Sequence, residues 1–142
     1  PQSQKDITAI MEAHRIPYLA TASATHPLDL YEKVRKAKEI KGTRFIHVFT
    51  PCPPGWRFPS SDTIEIGKLA VQTGLVILYE IENGIFHLTS ASESLARQGN
   101  LKPLSEYFVR QGRFKNLTQQ QINEWQDWVN IRWQAYLKRA NI

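Results

Sequence analysis

The apolar positions change period several times along the chain, and each change marks an element. In 3-SQKDITAIMEAHR-15, Ile7, Ile10, Met11 and His14 recur at spacings of three and four, which predicts a short helix with that stripe inward. Pro17 ends it, and 18-YLATAS-23 reads as a buried strand. Pro27 suits the first position of a second helix. Leu30, Val34 and Ala37 predict its inner stripe, and Gly42 stands where a C-terminal cap belongs. Then 43-TRFIHVFT-50, rich in β-branched and aromatic residues, is short enough for a parallel strand. The order helix, strand, helix, strand implies a right-handed crossover in an open α/β sheet.

Beyond a proline-rich loop, Asp62 and Glu65 have capping-box spacing ahead of a helix whose face is Ile66, Leu69, Ala70 and Thr73, with Gly74 as its stop. In 75-LVILYEIENGIFHLTS-90 two apolar runs flank Asn83-Gly84, a dipeptide that tolerates the positive φ angles of a tight hairpin. The segment 90-SASESLARQGN-100 reads as a polar loop, and Pro103 opens a short helix to about Gln111. Thr118 and Gln121 form a capping box before a long helix, whose stripe is Ile122, Trp125, Val129, Trp133 and Tyr136. Two parallel strands are too few for a self-sufficient sheet, because parallel sheets want several neighbours and cover on both faces. Further strands are expected upstream or in another subunit.

Composition narrows the class. A chain of 142 residues, 42% hydrophobic and 22% charged, fits one soluble domain with a real core. No apolar run approaches the ~20 residues of a membrane span. The start, 1-PQSQKDITAI-10, has no signal-peptide core, and its lack of a Met suits either processing or a piece of a longer chain. A single cysteine excludes a disulfide-stapled secreted scaffold, so a cytoplasmic location is expected. The net charge of +5 favours acidic partners. The run Lys33, Arg35, Lys36, Lys38, Lys41 and Arg44 reads as the solvated face of a helix and its exit, with at most a steering role.

The lone thiol, Cys52, lies in 49-FTPCPPGWRF-58 among Pro51, Pro53 and Pro54. Structural cysteine, nucleophile and metal ligand all remain open on the residues alone. In open α/β sheets ligands gather beyond the carboxyl ends of the strands, which is where Cys52 falls. A nucleophile needs a base, and His14, His26, His47 and His87 are scattered over separate elements. Neither C-x-x-C, H-x-x-x-H, G-x-G-x-x-G nor G-K-[ST] occurs, so no cofactor fingerprint is complete within the chain.

Taken in order, 14-HRIPYLATAS-23, 26-HPLDLYEKVRKAKEIKGTRFIHVFTPCPPGW-56, 65-EIGKLAVQTG-74, 79-YEIENG-84 and 106-EYFVRQGRFKNLT-118 closely resemble the C-terminal part of the thiamine-binding β subunit of pyruvate:ferredoxin oxidoreductases. The PCPPGWR segment is the most specific piece. The resemblance implies the C-terminal half of a thiamine-diphosphate-binding α/β fold over residues 1–118, with residues 119–142 as a C-terminal helix. It also implies oxidative decarboxylation of a 2-oxoacid, pyruvate first among them, to acyl-CoA, with electrons passing through [4Fe–4S] clusters to ferredoxin. In that family one cluster cysteine sits in the matching loop, so Cys52 would be the fourth ligand of a [4Fe–4S] cluster. Its other three ligands, the Gly-Asp-Gly thiamine motif and the residues for thiamine diphosphate and magnesium are absent from these residues. No catalytic residue is assigned, and the chain is expected to be inactive alone. The expected partners are the rest of the β subunit, the other oxidoreductase subunits, ferredoxin, the 2-oxoacid and coenzyme A, with no nucleic acid and no membrane span. The rival reading is a freestanding basic α/β binding module with a structural cysteine.

Overall fold

A computed structural model describes residues 5–142; the first two residues of the helix predicted from residue 3 lie outside the described ones. The first helix, α1, is Ile7–Ala13. The Asp6 carboxylate caps it, accepting from the Thr8 and Ala9 amides at 3.0 and 3.1 Å. Its inward face is Thr8 and Met11, and the predicted Ile7 and Ile10 are exposed. The sheet takes only one narrow stripe of so short a helix.

Strand β1 (Tyr18–Ser23) is buried at every position. Helix α2 (Pro27–Glu39) crosses to β2 (Arg44–Phe49), which runs parallel to β1. Beyond the loop and a single turn of helix α3 (Pro53–Trp56), α4 is Thr63–Gln72. Its predicted face, Ile66, Leu69, Ala70 and Thr73, is buried as expected. The capping box predicted there does not form. Asp62 is itself helical in φ and ψ, closing a 3-10 turn, and its side chain makes no cap bond. The hairpin β3 (Tyr79–Glu82) and β4 (Ile85–Leu88) is as predicted, with Asn83 and Gly84 at φ +50° and +83°.

The sheet is mixed, not purely parallel. Its order is β2-β1-β3-β4, with β3 antiparallel to both β1 and β4. The segment read as a polar loop is helix α5 (Ser90–Gln98), ended by Gly99 at φ +77°. Its buried residues are Ser92 and Ala96, too small to register as an apolar stripe, and Ser92 Oγ accepts the Leu78 amide at 2.8 Å. Helix α6 is Leu104–Val109, and α7 is Gln119–Arg139, opened by the Thr118–Gln121 capping box.

A small apolar cluster of Tyr18, Ala20 and Ala37 lies between β1 and α2, and two larger ones complete the core. One lies between β1, β3, β4 and α5, around Leu19, Ile81 and Phe86; the other joins α4 to α6 around Ile66, Leu104 and Tyr107. Helix α7 reaches both, placing Trp133 in the first and Val129 in the second. Among the described residues no helix is long and apolar enough to cross a membrane.

Helix α2 departs from its expected face. Ala37 is buried, but Val34 is 44% exposed and Lys33 only 2%. Lys33 Nζ donates to Asp29 Oδ2, Thr21 O and Thr89 Oγ1 at 2.6, 2.8 and 2.7 Å. Burial pushes its pKa down, and the Asp29 carboxylate opposes that shift. Lys36 pairs with Glu80 and Glu82 on β3. The basic run is therefore not one solvated face, because two of its lysines tie α2 to the sheet.

Candidate functional site

Cys52 follows the carboxyl end of β2 and is the N-cap residue of α3, at φ −120° and ψ 96°. Pro53 and Pro54 fill the first two helical positions, where a missing N–H costs nothing and a fixed φ suits the helix. The turn closes through Trp56 N donating to Cys52 O at 2.9 Å and Phe58 N to Pro53 O at 3.2 Å. Arg57 leaves it in the left-handed region, at φ 61°. The thiol is free and exposed, and among the described residues no hydrogen bond engages its sulfur. A Cβ on Gly55 would stand 3.1 Å from Cys52 Sγ, so the glycine keeps the space beside the sulfur open.

The loop is strapped from behind. Trp56 lies between Phe49 and Phe58, with ring centroids 5.7 and 6.2 Å away. The Arg113 guanidinium stacks 3.8 Å over the Trp56 ring and donates to Gln111 Oε1 and to the Tyr107 hydroxyl. Gly112 N donates to Arg57 O at 3.0 Å. The aromatic rings around Trp56 thus anchor the loop. Nothing in the local sequence singles out Arg113, whose neighbours Arg110 and Lys115 make it look like one more surface cation.

Behind this strap runs a cavity of about 470 Å³, lined by His47, Phe49, Trp56, Arg113, Trp125 and Arg132 among others. His47 on β2 is exposed, and His26 bonds only Thr25, with burial pulling its pKa down. None of the four histidines hydrogen-bonds the Cys52 thiol, so the nucleophile reading finds no base. Among the described residues no three His, Cys, Asp or Glu side chains converge as a metal site. One exposed thiol on a closed turn, with free space beside its sulfur, is a single donor and not a whole metal site.

No family model matches the chain. Curated relatives do. It is 46% identical over 127 residues to the pyruvate synthase subunit PorB of Methanothermobacter marburgensis, covering 89% of this chain and 42% of that one. It is 42% identical over 139 residues to the ketoisovalerate oxidoreductase subunit VorB of Pyrococcus abyssi, covering 98% of this chain and 43% of that one. The PorB of Methanocaldococcus jannaschii is again 46% identical over 127 residues, 89% of this chain and 41% of its own. The chain spans about two fifths of the length of these relatives and matches a C-terminal part of them.

Proposed function

The chain is homologous to a C-terminal part of the oxidoreductase subunits named PorB and VorB, and from this we propose that it works as that part of a 2-oxoacid:ferredoxin oxidoreductase β subunit. The single supporting observation is the match to PorB over 89% of the chain, which runs through the loop that holds Cys52. Pyruvate is the first candidate substrate and a branched 2-oxoacid the second, since relatives named for each are about equally similar.

In this reading Cys52 supplies one thiolate to a [4Fe–4S] cluster whose other three ligands come from the rest of the assembly. Such a cluster accepts and passes on single electrons, here toward ferredoxin. Thiamine diphosphate, magnesium and the coenzyme A site would be held by residues this chain does not contain. Its own residues do a narrower task. The turn fixes the direction of the thiolate, Pro53 and Pro54 withhold two amide donors beside it, and Gly55 clears the space at the sulfur. Trp56 and Arg113 keep the turn from moving when the metal leaves or arrives.

The test is Cys52→Ala in the assembled enzyme. Iron per complex and the cluster's paramagnetic signal should fall, electron transfer should stop, and the thermal midpoint of this chain should stay where it was. Unchanged iron with a lowered midpoint would mean a structural thiol. For the freestanding basic module, α2 offers two fewer free lysines than expected, because Lys33 is buried and Lys36 is paired.

A further inference from the structure

The segments that form the Cys52 loop and its strap are unbalanced in charge. Residues 49–61 and 107–123 carry Arg57, Arg110, Arg113 and Lys115 and no Asp or Glu. Arg110 pairs with Glu65 at 2.8 Å. Arg113 has no carboxylate partner among the described residues, and the groups that accept its hydrogen bonds, Gln111 Oε1 and the Tyr107 hydroxyl, are both neutral. Burial pushes the Tyr107 pKa up and so keeps that hydroxyl protonated beside the cation. Nothing that the guanidinium touches offsets its charge.

That charge is also held in place. The guanidinium lies 3.8 Å over the Trp56 ring and 4.4 Å from the Phe114 ring, and two hydrogen bonds fix its plane. The Arg57 side chain makes no hydrogen bond, ion pair or ring contact among the described residues, so its charge is free to move in solvent. Cys52 opens the α3 turn and Trp56 closes it. One helical turn and one stacking distance set the Arg113 cation on the order of 10 Å from the thiol. At an effective dielectric of about 20, a unit charge at such a separation changes a one-electron equilibrium by about ten-fold.

We propose that Arg113, fixed on the Trp56 ring, tunes the reduction potential of the iron–sulfur cluster that Cys52 ligates. Reduction adds one negative charge to the cluster and its thiolates, and a fixed cation nearby favours that state and raises the potential. Arg113 thereby eases the arrival of each electron that oxidation of the 2-oxoacid releases. By the same factor it makes onward transfer to ferredoxin less favourable. No bond of Arg113 changes in either step. The inference rests on the functional reading above and adds to it the residue that sets where the cluster lies between donor and acceptor.

The test is a potentiometric titration of the assembled enzyme, followed by the paramagnetic signal that Cys52→Ala abolishes. Arg113→Gln should lower the midpoint of that signal, its reduction equilibrium falling about ten-fold, or 59 mV for one electron. Arg113→Lys keeps the charge without the flat stacking surface and should restore at least half of the shift. A residue that only braces the loop predicts another pattern. Both variants would then lose iron to a similar degree, and the clusters that remained would titrate within about two-fold of the unaltered enzyme. That pattern would overturn the proposal. Should Arg113→Gln lose the cluster outright, Arg113→Met is titrated in its place, and loss in both would overturn it as well. If Cys52→Ala abolishes no signal, the functional reading fails and the tuning role with it. If it abolishes one whose midpoint Arg113→Gln leaves unmoved, only the tuning role falls.

Discussion

Lys33 and its partner Asp29 are almost wholly enclosed, with side-chain exposures of 3% and 5%. Removing one partner of such a pair strands the other as an uncompensated charge, at a cost of about 3–5 kcal/mol. Lys33→Met is therefore expected to lower unfolding free energy by roughly 3 kcal/mol, and Lys33→Met with Asp29→Asn by clearly less. Chemical denaturation of the two variants measures the difference; a loss under about 0.5 kcal/mol, as for a surface lysine, would contradict the burial. The role is hidden in the sequence because lysine defaults to solvent, although Asp29 one turn earlier is a visible cue. Cys52 is placed by its loop and by resemblance, whereas the strap from Arg113 depends on a contact between residues far apart in sequence. No local pattern encodes such a contact.

Among the elements, those set by adjacent residues are legible: the Asn83-Gly84 hairpin, the α4 face and the α7 capping box. Those set by neighbours are not. The stripe of α1 differs from its expected one because Thr8 takes the inward place, and α5 hides in the sequence because its buried face is serine and alanine. The start of α1 also makes a pH-dependent prediction. Burial raises the Asp6 pKa, but the bonds from Thr8 and Ala9 and the charge of Arg132 outweigh it, and the carboxyl ends below its ordinary value of 3.8. A lowered carboxyl pKa stabilises above the unfolded value, and that stability disappears as pH falls through the folded one. Below about pH 4 the α1 amides should lose protection relative to their intrinsic exchange rates. Asp6→Ala should cost about 1 kcal/mol at neutral pH and abolish that acid sensitivity. Equal acid sensitivity in the variant would assign it to another group.

At the scale of the molecule, the mixed sheet of the described residues ends in a hairpin on one side and in the parallel strand β2 on the other. Such a body is expected to show no 2-oxoacid-dependent dye reduction by itself and to gain it only when joined by the rest of the enzyme. Turnover by the purified 142 residues would refute the assignment of Cys52 as one ligand among four. The position of α7 has a consequence for the order of events during synthesis. The hairpin can close as soon as residues 79–88 leave the ribosome, since its contacts are local. The two larger apolar clusters, however, wait for Val129 and Trp133, which emerge much later, from the last helix. Until then Leu19, Ile66 and their neighbours are open to water, and a nascent chain in that state is a ready client for chaperones and a target for proteases. Stalling translation just before Thr118 should therefore yield a chain that is digested rapidly, and release beyond Arg139 one that resists.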